Sequence, residues 1–218
     1  MAVPTPFDTP SGRAVVASTR RSWHWVAEWL LAGPQHRELG TIRLQVVPGG
    51  FATKDGSIRV DRDELVLADG RRVHLQGTLA EVAAEAGIAG GAPEGLYTDS
   101  SDASPDSPLS VDAAAAGALA GWLESGAAAL HSFAPTEAAV LWPEHFDVGI
   151  AVDEVNYGIS PGDAHQQAPY AYVGPWKPRE GKFWNAPFGA ARTWSELSDE
   201  NAIQAFFAEG KLAAAAKE

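Results

Sequence analysis

The sequence predicts an α+β fold: a mostly antiparallel sheet with about four helices packed on one face or at its ends. Three observations predict it. Short runs alternating apolar and polar residues recur at 41–75 and again at 138–175. Four segments carry a helical period, at 19–32, from Thr78, at 111–131 and from about Ser198. Asp69-Gly70, between two alternating runs, is a hairpin signal, because a type I′ turn needs positive φ at both central residues.

The elements follow in chain order. Residues 1–12, rich in Pro, Thr and Gly, read as loose. At about 100° per residue, Trp23, Trp25, Val26, Trp29 and Leu30 fill one wide arc of a helix over 19–32, opposite Arg21, His24 and Glu28. Gly33-Pro34 is expected to stop it, since glycine permits a left-handed cap and proline cannot continue a helix. Thr41–Val46, Ser57–Val60, Glu64–Leu67 and Arg71–Leu75 read as short antiparallel strands with one wet face. Thr78 and Glu81 form a capping box, and Gly87 closes the helix it opens. Residues 89–110, rich in Gly, Ser, Asp and Pro, read as a flexible loop within a single domain over 1–218. Ser110 is expected to cap the helix at 111–131, where Leu119, Trp122, Leu123 and Leu130 share a face among Ala and Gly. The last helix is anchored by Ile203, Phe206 and Phe207 and is expected to stop at Gly210.

Composition bounds the function. A chain of 218 residues buries roughly 70% of its unfolded surface, so it needs neither a disulfide nor a metal merely to fold. Sixteen Lys and Arg against 28 Asp and Glu give a formal charge of −12, which repels phosphate backbones and argues against nucleic acid and anionic membrane as partners. With no cysteine, thiolate chemistry is excluded and a reducing, cytoplasmic setting fits. Neither an apolar signal core at the start nor a membrane-length apolar run is present. A small molecule and a further copy of the chain remain as partners.

Residues 142–176 are the segment that carries chemistry. Phe146, Val148, Ile150 and Val152 alternate with His145, Asp147, Gly149 and Ala151, so His145 and Asp147 are expected to share one strand face. Val155, Tyr157 and Ile159 alternate with Asn156, Gly158 and Ser160. Paired about Asp153-Glu154, the two runs set Val152 against Val155, Ile150 against Tyr157 and Gly149 against Gly158. The polar face then has a bare glycine centre, and glycine inside a strand marks close approach by a ligand or another backbone. His145, Asp147 and Asp163 are the catalytic candidates at its rim. Trp142, Glu144, Asn156, Ser160, Tyr170, Tyr172 and Trp184 are candidate ligand contacts. Two chemistries compete. In one, His145, Asp147, Asp163 and His165 hold a divalent metal through mixed N/O donors. In the other, His145 is a metal-free base oriented by Asp147 or Asp163. Gly158-Ile159-Ser160-Pro161-Gly162 matches a hydrolase nucleophile pattern, but the residue after the serine must give an N–H to the oxyanion hole, and Pro161 has none.

The His-Phe-Asp stretch at 145–147, the Gly-x-Ser-Pro-Gly-Asp turn at 158–163 and the Pro-Tyr-Ala-Tyr-Val run at 169–173 resemble a bacterial family of unknown function of actinobacterial type. The resemblance implies no activity. It points to His145, Asp147, Ser160, Gly162, Asp163 and Tyr170. The expected function is a small-ligand-binding protein or enzyme with a His/Asp pocket on the 144–175 strands. The rival is a non-catalytic interaction or oligomerisation protein whose Trp-rich and small-residue surfaces are packing faces.

Overall fold

The first helix begins earlier than its tryptophan arc suggests. The computed structural model describes residues 6, 7, 9–97, 101–197 and 199–216. In it, α1 (Pro10–Val26) starts within the segment expected to be loose. The Thr9 hydroxyl accepts the Gly12 N–H at 3.1 Å, and Pro10 occupies a position where no N–H is needed. Nor does the helix end at Gly33-Pro34. A π-helical stretch, Ala27–Ala32, leads into α2 (Gly33–Leu39), and Gly40, at φ 68°, closes it. The wide turn reconciles the proline with the helix. Gly33 donates its N–H to the Glu28 carbonyl five residues back, while Pro34 has nothing to give the Trp29 carbonyl. That acceptor takes the Gly91 N–H instead, at 2.9 Å. A β-carbon at Gly33 would collide with the Gly91 carbonyl, so this glycine admits a loop rather than caps a helix.

The chain divides into two compact units, Met1–Gly121 with Leu141–Phe146, and Trp122–Val140 with Asp147–Glu218. In the first, β1 (Gln45–Val47), β2 (Gly50–Ala52), β3 (Ile58–Asp61), β4 (Glu64–Leu67) and β5 (Arg72–His74) form an antiparallel meander. Its wet face carries Arg72, which binds Asp61 and Glu64 at 2.8 and 2.6 Å across neighbouring strands. The β4–β5 turn is not type I′: Gly70 has φ 83° but Asp69 does not have a positive φ. Gly70 donates to the Leu67 carbonyl and Leu67 to that of Arg71, which makes a three-residue loop with a glycine bulge. Trp23, Phe51 and Phe146 meet edge-on in the core, and the Trp23 indole donates to the Arg62 carbonyl at 2.9 Å. The capping box at Thr78 and Glu81 opens α3 (Leu79–Ala86), and Gly87 closes it at φ 73°.

The segment 89–110 is fastened at several described points. Tyr97 donates to Glu28 at 2.9 Å, and Ser101 gives Glu28 both its N–H, at 3.0 Å, and its hydroxyl. The Trp25 indole reaches Asp102 at 2.7 Å, and Arg37 donates to the Ala89 and Gly91 carbonyls. Further on, β6 (Gln76–Thr78) pairs with β7 (Pro108–Ser110). The next helix, α4 (Ala113–Phe133), is capped by Asp112 rather than Ser110, its carboxylate accepting the Ala115 N–H at 2.8 Å.

In the second unit β9 (Asp147–Val152), β10 (Val155–Ser160), β11 (Tyr170–Pro175) and β12 (Ala190–Thr193) run antiparallel in the order β12-β11-β10-β9. The strand β8 (Val140–Trp142) lies where the chain passes between units. One sheet face is apolar and is covered by helices. Ile159 presses against Gly126 of α4, where a β-carbon has no room. Tyr157 packs on Phe133 and Phe207. Ser198, expected near the start of the last helix, lies outside the described residues. Asp199 caps α5 (Glu200–Ala215), which continues through Gly210. That glycine is a contact, since a β-carbon there would lie 2.7 Å from Val173.

Candidate functional site

The hairpin at 147–160 has the register that the alternation implies: Val152 opposite Val155, Ile150 opposite Tyr157, Gly149 opposite Gly158. Its turn is the type I′ one. Asp153 and Glu154 have φ 52° and 62°, so two acids take the conformation usually left to Asn-Gly. The bare glycine centre is present but covered. Tyr172 lies directly opposite Gly158 on β11. A β-carbon at Gly149 would stand 2.9 Å from the Tyr172 hydroxyl, and one at Gly158 2.5 Å from its ring. The glycines therefore make room for a tyrosine of the same sheet, an aromatic ring filling the place of missing side chains.

Both expected acids hold tyrosines. Tyr172 donates its hydroxyl to Asp147, and Tyr170 donates to Asp163 at 2.5 Å. Burial, reinforced by these carboxylates, pushes both phenols above their ordinary range. Asp163 also accepts the N–H groups of His165 and Gln166, at 2.8 and 2.9 Å, and so shapes the loop after β10. The buried Ser160 hydroxyl accepts the Gly162 N–H at 3.1 Å, which is the work of a turn. Phe188, from the loop before β12, completes an aromatic cluster with Tyr170, Tyr172 and His165, at ring separations of 6.3, 6.3 and 5.1 Å.

Beside this cluster lies a cleft of about 250 Å³. His165, Gln166 and Tyr170 line it from the loop and start of β11; Asn185, Thr193 and Glu196 line it from the segments around β12. Ala186 and Ala191 complete the wall. Asn185 pairs with Ala191 as a strand residue would, donating to its carbonyl at 3.1 Å and accepting its N–H at 2.9 Å. Glu196 accepts the Thr193 hydroxyl at 2.6 Å and N–H at 2.8 Å, and these bonds hold its carboxyl below the usual range.

The other candidates fall elsewhere. Strand alternation does not run through His145 and Asp147, because β9 begins at Asp147 and Phe146 adopts a left-handed φ of 52°. The Phe146 N–H closes a turn onto the Trp142 carbonyl at 2.8 Å, and its ring is buried against Phe51 and His24. Trp142, Glu144 and His145 group with the first unit. There Arg43 sits 5.5 Å from the Trp142 ring, and His145 is exposed. Glu144 carries a buried oxygen without a hydrogen-bond partner among the described residues. Asn156 accepts from the Trp176 indole at 3.0 Å, and Trp184 packs edge-on against Phe183. Among the described residues no group of three or more His, Asp or Glu is placed to hold a metal ion, and His145, Asp147, Asp163 and His165 are no exception.

Gln166, Asn185, Thr193 and Glu196 were not singled out from the sequence. Thr193-Trp-Ser-Glu196 has the Ser/Thr-x-x-Glu spacing of a capping box, and that signal was readable. No described helix is long and apolar enough to cross a membrane. No protein family, curated protein or solved structure matches the chain.

Proposed function

We propose that the protein binds a small molecule, and that its site is the cleft of the second unit, beside the rim residues His165, Tyr170 and Asp163. One observation carries this reading: His165, Tyr170 and Glu196, from separate stretches of chain, line a single cleft of about 250 Å³. Pockets for drug-sized ligands span roughly 300–1,000 Å³, so the ligand is smaller than those. Asp147 and Asp163 act as anchors for Tyr172 and Tyr170, and the tyrosine platform, with Phe188 against it, gives the cleft a rigid flank. A cytoplasmic setting belongs to the same reading and rests on the absence of cysteine.

The rival interaction reading has weaker support. Trp23 and Trp25 are buried in their own core, and Gly126 is spent on Ile159. A fragment screen followed by amide chemical shifts tests the proposal. Hits should move the amides of His165, Gln166 and Thr193. A library in which nothing binds there, while the protein stays folded, refutes it.

A further inference from the structure

The hydrogen-bonding inventory of the cleft narrows the ligand, on the reading that the cleft is a binding site. Its fixed donors are turned onto the protein itself. The Thr193 hydroxyl is given to Glu196, the Tyr170 hydroxyl to Asp163, and Asn185 gives one of its two amide N–H groups to Ala191. No Lys or Arg lines the cleft. What remains is a free carboxylate oxygen beside an amide and an imidazole that can each donate or accept. Glu196 uses only Oε2 on Thr193, leaving Oε1 without a partner among the described residues. The side-chain amide of Gln166 and the imidazole nitrogens of His165 are likewise unengaged among the described residues, His165 using its ring on Phe188.

An anion placed here meets a carboxylate, and the Arg192 guanidinium that acts on Glu196 is already paired with Glu209 at 2.6 Å. A neutral polyol can use the free N–H groups of Gln166 and His165, but it leaves the Glu196 charge unbalanced. A cation carrying N–H groups matches both the charge and the acceptors, with an aromatic ring alongside. We propose that the cleft takes a small organic cation, an ammonium or guanidinium compound, with Glu196 as its counter-ion.

The experiment titrates the isotopically labelled full chain with agmatine, and in parallel with malonate and with glucose. Agmatine should shift the amides of His165, Gln166 and Thr193. Glu196→Gln should weaken its binding about three- to fivefold, the scale of an exposed ion pair. Glu196→Asp, which keeps the charge, should retain binding. Glu137→Gln, an exposed acid outside the lining, should change nothing. Unmoved amides of Tyr157 and Ile159 show that each variant remains folded. Agmatine binding of equal strength in Glu196→Gln overturns the proposal. So do cleft shifts from malonate or glucose with agmatine silent, an outcome that leaves the cleft a ligand site. Silence from all three compounds overturns it as well; joined to an empty fragment screen, it removes the binding function too.

Discussion

If the glycine floor exists to seat Tyr172, a methyl group at Gly149 should be costly only while the tyrosine keeps its hydroxyl. Gly149 does not have a positive φ, so alanine meets no backbone strain there. The nearest obstacle to its β-carbon is the Tyr172 hydroxyl at 2.9 Å, followed by the Tyr157 carbonyl at 3.2 Å. Gly149→Ala must push the hydroxyl away from Asp147. A hydrogen bond to a charged group is worth about 1.5–3 kcal/mol. Against this, alanine gains about 0.4–1 kcal/mol by restricting the unfolded chain. The net loss should be about 1–2 kcal/mol. Tyr172→Phe alone should cost about 2 kcal/mol through the same bond. In the double variant the hydroxyl is gone and only the Tyr157 carbonyl at 3.2 Å still crowds the methyl, so Gly149→Ala should be close to neutral. The coupling energy is then about 1–2 kcal/mol, outside the 0.3–0.5 kcal/mol or so within which independent sites add. Urea denaturation, read through hydrogen exchange of the Tyr157 and Ile159 amides, measures it in the second unit. Additive losses would refute the reasoning.

Three further outcomes are expected. Glu154→Gly should relieve a left-handed φ of 62° and raise stability by about 1 kcal/mol; the Lys177 pair it removes, at 3.4 Å, is exposed and contributes little. A melting temperature that falls contradicts this. Glu28→Ala should strand the Tyr97 hydroxyl and the Ser101 N–H, costing about 3 kcal/mol or more, and should open residues 89–104 to limited proteolysis; an unchanged digestion pattern speaks against Glu28 as their anchor. Burial lowers the His24 pKa below 6.5, with Glu28 opposing. The unfolded chain therefore takes up the proton more readily, so this contribution is complete above pH 6.5 and declines as the pH falls from there towards the folded value. His24→Phe, which keeps the stack on Phe146, should flatten that part of the stability profile in urea titrations at pH 7.5 and 5.

The hairpin at 147–160 was legible because its bulky residues keep a period of two on both strands, and a slip of one residue would have turned Val148, Ile150, Tyr157 and Ile159 to the wrong face. The α3 helix was legible from its caps. The rest depended on partners distant in the chain. Nothing near Gly149 names Tyr172, which reaches it through the β10–β11 register. Phe146 leaves the strand because Phe51 and His24 bury its ring, and a rule of alternation has no term for that. Local conformational freedom makes the glycines at 33 and 210 look like stops, whereas both admit a neighbour. The cleft residues Asn185 and Glu196 carried only turn signals, because their roles are local first and shared only in space.

The empty carbonyl left by Pro34 ties a helix to a loop. A substitution such as Pro34→Ala restores a main-chain donor at that place. The Trp29 oxygen then has a closer suitor than Gly91, and the loop at Gly91 loses a reason to stay. Improvement of one element by its own standard would loosen its attachment to the next, so the proline that looks like a defect in the helix is part of what joins it to residues 89–102.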